Sequence, residues 1–250
     1  MIPKTIHYVW VGPKPLPEAD RQRVDAWRHM LPDWQIVAWD NDKVDYSSSF
    51  VRQAYSVRAW NRVSDYTRMD ALARFGGVYL DTDVDLIKSL DPLLSLKAFL
   101  GFQTDDMNSI TDPVNGAVFG SEPGHWLPTS IRSFFNNELD GRTDIGAFSG
   151  PGLISKFLRE RGLSEYCDEP MTIGDVTIFP KRVFYPYAWD ERYSPDVVTE
   201  DTYAVHRWAE TWVVRKVTLR KKLERALLKR FSLYAPELAF RMSYNMAKRG

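Results

Sequence analysis

At 250 residues with 44% hydrophobic content, the chain is long enough to bury a substantial core and too apolar to be a disordered protein. No apolar run approaches the ~18–20 residues that span a bilayer, and Met1-Ile2-Pro3-Lys4 leads straight into strand-like sequence without a secretory h-region. The single Cys167 cannot form an internal disulfide, which suits a reducing compartment.

Ile2 to Trp10 reads as a first strand, with Pro3 tolerable at its start. Trp10 ends it, where doubly wound sheets meet their ligands, although core packing accounts for this indole as well. His7, in mid-strand, reads as a hydrogen-bonded core histidine. Pro13 to Pro17 is a loop, and Glu18 to Met30 is a helix with apolar points at Val24, Trp27 and Leu31. Trp34 to Trp39 is a second strand that closes on Asp40. An acidic residue there either meets a ribose hydroxyl or caps the next helix.

Arg58 to Phe75 contains no Gly or Pro, and Val63, Met69, Leu72 and Ala73 recur at roughly helical spacing. Gly76 and Gly77 stop this helix. Val78, Tyr79 and Leu80 then form a short strand delivering Asp81-Thr82-Asp83. In an extended segment residues i and i+2 point the same way, so both carboxylates project to one side. A divalent cation is the natural partner of such a repelling pair. Asp65 and Arg68, three apart, share a helix face. Strand, helix, strand, helix, strand by residue 80 predicts an α/β domain with a largely parallel sheet.

Beyond the acidic pair, Asp91 to Leu94 opens a turn and Phe99 to Phe102 reads as a strand. Asn115 leads a small apolar strand, where its amide either hydrogen-bonds a ligand or serves a turn ahead of Gly116. Helices are expected over Ile131 to Leu139 and, after Gly150-Pro151-Gly152, over Leu153 to Arg161. Val176 to Phe179 and Tyr203 to His206 are strand-like, separated by an aromatic loop from Phe184 to Trp189. From Val213 onward eleven Lys/Arg face two Glu, so the tail carries a charge of +9 and the body −9 although the whole chain is neutral. Leu219, Leu223, Ala226 and Leu227 give this tail an apolar stripe in a basic surround. No nucleic-acid motif accompanies it; an anionic membrane is the expected partner, and a solvated helix docked on the body is the alternative.

Four blocks together carry a family resemblance: IPKTIHYVWVG at the start, SDYTRMDALARFGGVYLDTD in the middle, Asn115-Gly116 with Gly150-Pro151, and AVHRWAETW near residue 210. The chain resembles the DXD sugar-nucleotide transferases of glycosyltransferase family 32, with the large clostridial toxin glucosyltransferases as distant relatives. A lone DxD arises by chance; behind SDxxR and GG at this spacing it is specific. The resemblance covers most of residues 2 to 212 in scattered blocks. It implies a GT-A type fold, with a catalytic domain over 1–212 and a helical extension over 213–250. It implies Mn²⁺ or Mg²⁺ on Asp81 and Asp83, with His206 as a third ligand or a diphosphate contact. Asp65 and Arg68 would act on the donor sugar and phosphate. Trp10, Asp40, Tyr79, Asn115, Trp208, Thr211 and Trp212 would line the substrate site, Thr211 standing where many relatives have Ser.

The expectation is thus a retaining hexosyltransferase, cytoplasmic and held peripherally on the inner face of the cell membrane. It would take a nucleoside-diphosphate sugar, a UDP-hexose first and GDP-mannose second. The acceptor would be a saccharide or lipid-linked glycan of capsule or O-antigen synthesis. YLDTDVDL also resembles the D-x-D turn of haloacid-dehalogenase-type phosphatases, with Asp105-Asp106 as a later acidic pair. A non-catalytic carbohydrate-binding protein is the third reading.

Overall fold

The computed structural model describes residues 1–108, 112–139, 149–209 and 219–248. In chain order the first elements are β1 (Thr5–Val9), α1 (Glu18–Met30), β2 (Gln35–Trp39), α2 (Ser49–Ser56), α3 (Trp60–Phe75) and β3 (Gly77–Leu80). Then come β4 (Val84–Leu86), β5 (Ala98–Phe102), β6 (Val114–Ser121), α4 (Trp126–Asn137) and α5 (Gly150–Arg159). The rest are β7 (Met171–Ile173), β8 (Val176–Phe179), α6 (Lys181–Phe184), β9 (Ala204–His206), α7 (Leu219–Tyr234) and α8 (Pro236–Ala247).

The central sheet has seven strands in the order β2-β1-β3-β6-β5-β8-β7. β2, β1, β3, β5 and β8 point one way; β6 and β7 oppose them. The class is therefore α/β with a mostly parallel sheet, as expected. β6 runs against both β3 and β5 and separates the parallel strands into two groups. A small antiparallel pair, β4 with β9, sits apart and sets Val84 opposite His206.

Helix α3 ends where the sequence says it should. Gly76 takes φ 62° and Gly77 φ 100°, values that cost a residue with a Cβ, and the Gly76 N–H closes the last turn on Leu72 O at 2.9 Å. The chain turns straight into β3, whose alternation then sorts its neighbours. Val78 and Leu80 join Ile6, Val24 and Trp27 on one side, while Tyr79 joins Tyr66, Met69 and Leu72 on the other. Burial on α3 extends beyond the apolar points Val63, Met69, Leu72 and Ala73, because every residue from Asp65 to Ala73 is buried. Its charged groups consequently find partners: Asp70 meets Arg132 at 2.8 Å and Arg74 at 3.1 Å.

His7 is the core histidine expected. Trp39 Nε1 donates to its Nδ1 at 3.1 Å, which leaves Nε2 to donate to Gly76 O at 2.8 Å. Both ring nitrogens of the neutral imidazole are thereby satisfied. Helix α2 was not read from the sequence; Ser48 caps it by accepting the Val51 N–H.

The basic tail reads in sequence as one helical stripe and is found as two helices, broken at Ala235 with Pro236 opening the second. The second, α8, packs on α2. Ser243 Oγ donates to Ser56 O at 3.1 Å, and Phe240 and Tyr244 rest against Tyr46 and Tyr55. Arg52–Glu237 at 3.3 Å and Lys248–Asp42 at 2.5 Å frame the contact.

Candidate functional site

The site forms where β3 ends. Asp81-Thr82-Asp83 is not the extended segment expected. The Val84 N–H bonds Asp81 O at 3.1 Å, so the three residues form a tight turn between β3 and β4. The carboxylates still converge, but through the turn and not through strand alternation. His206 reaches them from β9, and one donor atom from each of Asp81, Asp83 and His206 lies within 4.8 Å of the others.

Each carboxylate has one oxygen braced and one turned to the shared centre. Asp81 Oδ1 accepts Tyr79 Oη at 2.7 Å and Arg68 Nη2 at 2.9 Å, and its Oδ2 lies 3.9 Å from His206 Nε2. Asp83 Oδ2 accepts the Ala209 N–H at 2.8 Å, and its Oδ1 lies 3.2 Å from His206 Nε2. The Arg207 N–H adds a bond to Asp83 O at 3.0 Å, so the 206–209 segment wraps Asp83. Burial pushes the Asp83 carboxyl up, but His206 and the Ala209 N–H outweigh it and bring it down to about 2. Two carboxylate oxygens and an imidazole nitrogen suit a divalent cation such as Mn²⁺ or Mg²⁺. His206 turns Nε2 to both carboxylates, while its Nδ1 is buried with no hydrogen-bond partner among the described residues.

Behind the acidic turn stands Arg68 of α3. It lies over the Tyr79 ring at 4.2 Å, and Ser64 Oγ and Tyr79 Oη are 3.2 Å apart. Burial alone would lower the Arg68 pKa, but Asp81, Tyr79 and Asp65 together raise it above the ordinary value, so its charge is permanent. The Asp65–Arg68 pair expected from spacing is the weaker contact, 4.0 Å apart, because Arg68 is drawn to Asp81. Asp65 instead accepts the Gly150 N–H at 3.2 Å, at the first turn of α5, with Arg62 3.5 Å away. A helix N-terminus favours such an anion. Burial pushes the Asp65 carboxyl up, and Arg68 and Arg62 act against it. Gly116 and Gly150 make room for this pair, since a Cβ on either would come within 3.0 Å of Arg68 Nη1 or 2.5 Å of Asp65 Oδ1 respectively.

Around this centre the other expected residues fall unevenly. Trp208 packs its ring 4.2 Å from that of His206, donates Nε1–H to Tyr187 O at 3.1 Å, and takes the left-handed φ of 52°, unusual for so large a residue. Asn115 lies beside the site on β6, and its amide is engaged: Nδ2 donates to Gln103 at 2.7 Å and Oδ1 accepts the Ala117 N–H at 2.8 Å. Trp10 directly follows β1, half-buried, and donates to Lys14 O at 2.8 Å. Asp40 is exposed and caps the turn after β2 by accepting the Asp42 and Lys43 N–H groups. Thr211 and Trp212 lie outside the described residues. Asp105, the later acid of the phosphatase reading, forms an exposed ion pair with Lys181.

Some participants were not read from the sequence. Asn41 joins the loops after β1 and β2 by accepting the Gly12 N–H at 2.8 Å and donating to Gly12 O at 2.9 Å. Asp20 of α1 accepts Thr82 Oγ1 at 3.3 Å and pairs with Arg23 at 2.9 Å, so it holds the middle of the acidic turn from behind. Only Ser64 had a signal, as the first letter of the SDxxR block.

Residues 17–100 match the glycosyltransferase sugar-binding region containing DXD motif. Lactosylceramide 4-alpha-galactosyltransferase of Mus musculus is 28% identical over 210 residues, 80% of this chain and 50% of that one. Inositol phosphoceramide mannosyltransferase 1 of Schizosaccharomyces pombe is 31% identical over 135 residues, 50% of this chain and 40% of that one. The solved PaToxG glycosyltransferase aligns over 99% of this chain and 87% of its own at 14% identity, with a TM-score of 0.49. The chain spans about half the length of the curated relatives it matches. Within the matched span the DXD is Asp81-Thr82-Asp83.

Proposed function

We propose that this chain is a metal-dependent, retaining glycosyltransferase of the GT-A type. It moves a hexose from a nucleoside-diphosphate sugar to a saccharide or lipid-linked glycan. The observation that carries this is the convergence of His206, from β9, on Asp81 and Asp83, the two carboxylates of the region that matches the DXD family. Asp81, Asp83 and His206 would hold Mn²⁺ or Mg²⁺, which when bound supplies Lewis-acid stabilisation of a diphosphate leaving group, worth several kcal/mol.

The chain's own residues do the rest. Arg68 and Tyr79 fix one oxygen of Asp81 and thereby the direction of the other. Asp65, seated on the Gly150 N–H, accepts a donor-sugar hydroxyl and orients the anomeric carbon. Trp208 covers His206 and excludes water from that side. Retention then proceeds by front-face attack, with the leaving phosphate taking the acceptor's proton.

Galactosyl and mannosyl transfer in the relatives' names supports a hexose. The donor proposed is a UDP-hexose first and GDP-mannose second. Ceramide in both names supports a lipid-linked acceptor. Incubation with a panel of sugar nucleotides and Mn²⁺ tests the proposal. Release of free nucleoside diphosphate is expected. Inorganic phosphate from phosphomonoesters would instead favour a phosphatase, and neither product a carbohydrate-binding protein.

A further inference from the structure

Of the twelve large apolar side chains exposed among the described residues, seven fall between Leu227 and Met246. They are ordered. On α7, Leu227, Phe231 and Tyr234 follow helical spacing; on α8, Leu238, Met242 and Met246 recur every fourth residue. Helix α8 therefore has two apolar stripes. Ala239, Ser243 and Ala247, with Phe240 and Tyr244, face α2, and the second stripe is exposed, touched at Met246 Sδ by Arg58 Nη2 at 3.4 Å. Exposed apolar patches of this kind mark interaction sites.

Charge decides the partner. Residues 219–248 contain eight Lys/Arg and two Glu. Two copies meeting through this net-positive segment would bring like charges together, whereas an anionic lipid surface suits both its apolar stripes and its charge. We propose that the α7–α8 hairpin is the foot by which the protein stands on anionic membrane, with Leu227, Phe231, Tyr234, Leu238, Met242 and Met246 entering the headgroup boundary. Helix α8 couples the foot to the body through α2, so bound protein is held in a set orientation. This inference does not depend on the transferase reading.

The test is vesicle co-sedimentation of the full chain with phosphatidylcholine alone and with 30% phosphatidylglycerol added. It is run beside the variant Leu227→Glu, Phe231→Glu, Leu238→Glu, Met242→Glu, whose positions are all exposed. The wild-type chain should bind the anionic vesicles at least tenfold better than the neutral ones. High salt should weaken binding without abolishing it. The variant should lose tenfold or more while keeping its melting temperature. Equal binding to both vesicles, no binding, or undiminished binding by the folded variant would overturn the proposal. So would a wild-type dimer in light scattering that the variant dissolves in the absence of any lipid binding.

Discussion

Arg68 Nη2 stands 2.9 Å from Asp81 Oδ1, joining a helix to the acidic turn thirteen residues later, and the guanidinium is sealed from solvent. The same oxygen takes the Tyr79 hydroxyl, so the remaining oxygen of Asp81 has only the side of Asp83 and His206 left to serve. A buried ion pair is weak support for a fold, but losing one partner strands the other charge. The Arg68–Asp81 pair is thus better understood as aiming a ligand than as holding the domain together.

Replacing Arg68 by Ala should therefore cost about 3–5 kcal/mol of stability, the scale for breaking a buried pair. Release of nucleoside diphosphate should fall at least about 100-fold, the loss of a charge-assisted contact. Arg68→Lys should recover part of the stability but not the rate, because an ammonium cannot meet Asp81 and the Tyr79 face together. Denaturant unfolding and donor hydrolysis on the same preparations check both halves.

Tyr79→Phe keeps the ring under Arg68 and removes only the hydroxyl that bonds Asp81 and Ser64. A stability loss of about 1.5–3 kcal/mol is expected for a bond to a charged acceptor. Apparent affinity for Mn²⁺ should weaken roughly 10–100-fold, the usual effect of removing a group that orients a ligand. Calorimetric titration with Mn²⁺ in the presence of UDP measures it.

His7 gives a pH signature. Burial lowers its pKa, with the bond to Gly76 O acting against this. The unfolded chain then binds the proton more readily than the folded one, so His7 contributes stability that is present above the ordinary histidine value of about 6.5 and is lost as pH falls below it. His7→Gln should flatten the stability profile on the acid side of pH 6.5. Urea unfolding of both proteins at pH 5 and pH 8 measures the difference.

Much of the centre is legible in the sequence because its signals are local. The Gly76-Gly77 stop, the length of α3 and the pairing of Asp81 with Asp83 all lie within 25 consecutive residues. Convergence of the carboxylates was read correctly from the wrong geometry, since a turn does what alternation was expected to do. His206 is different: only the β4–β9 pairing brings it to Asp83, and no local pattern encodes that. The family resemblance supplied it. The Arg68–Asp81 and Asp65–Gly150 contacts escaped for the same reason, since spacing alone says only that Asp65 and Arg68 share a helix face. β4 and β7 have three residues each, too few to show a period. The second stripe of α8 was hidden because its two apolar faces together look like plain hydrophobicity.

Helix α8 belongs to the body's packing, and this too is measurable. Ending the chain at Tyr234 would uncover Tyr46 and Tyr55. The loss of aromatic burial is about 3–5 kcal/mol for one large side chain, which at ~2–4 °C per kcal/mol lowers the melting temperature by roughly 10 °C. Differential scanning calorimetry of the full and shortened chains gives the value; an unchanged Tm would mean the α2–α8 contact contributes nothing.

Mn²⁺ binding by the wild-type protein and by the Asp81→Ala, Asp83→Ala and His206→Ala variants, followed by electron paramagnetic resonance with UDP present, bears most directly on the site. One Mn²⁺ per wild-type chain is expected, with binding weakened at least tenfold by each substitution and nucleoside-diphosphate release lost in parallel. Full-strength binding of one Mn²⁺ by the Asp81→Ala, Asp83→Ala double variant, or undiminished release from the donor in excess EDTA, would contradict it.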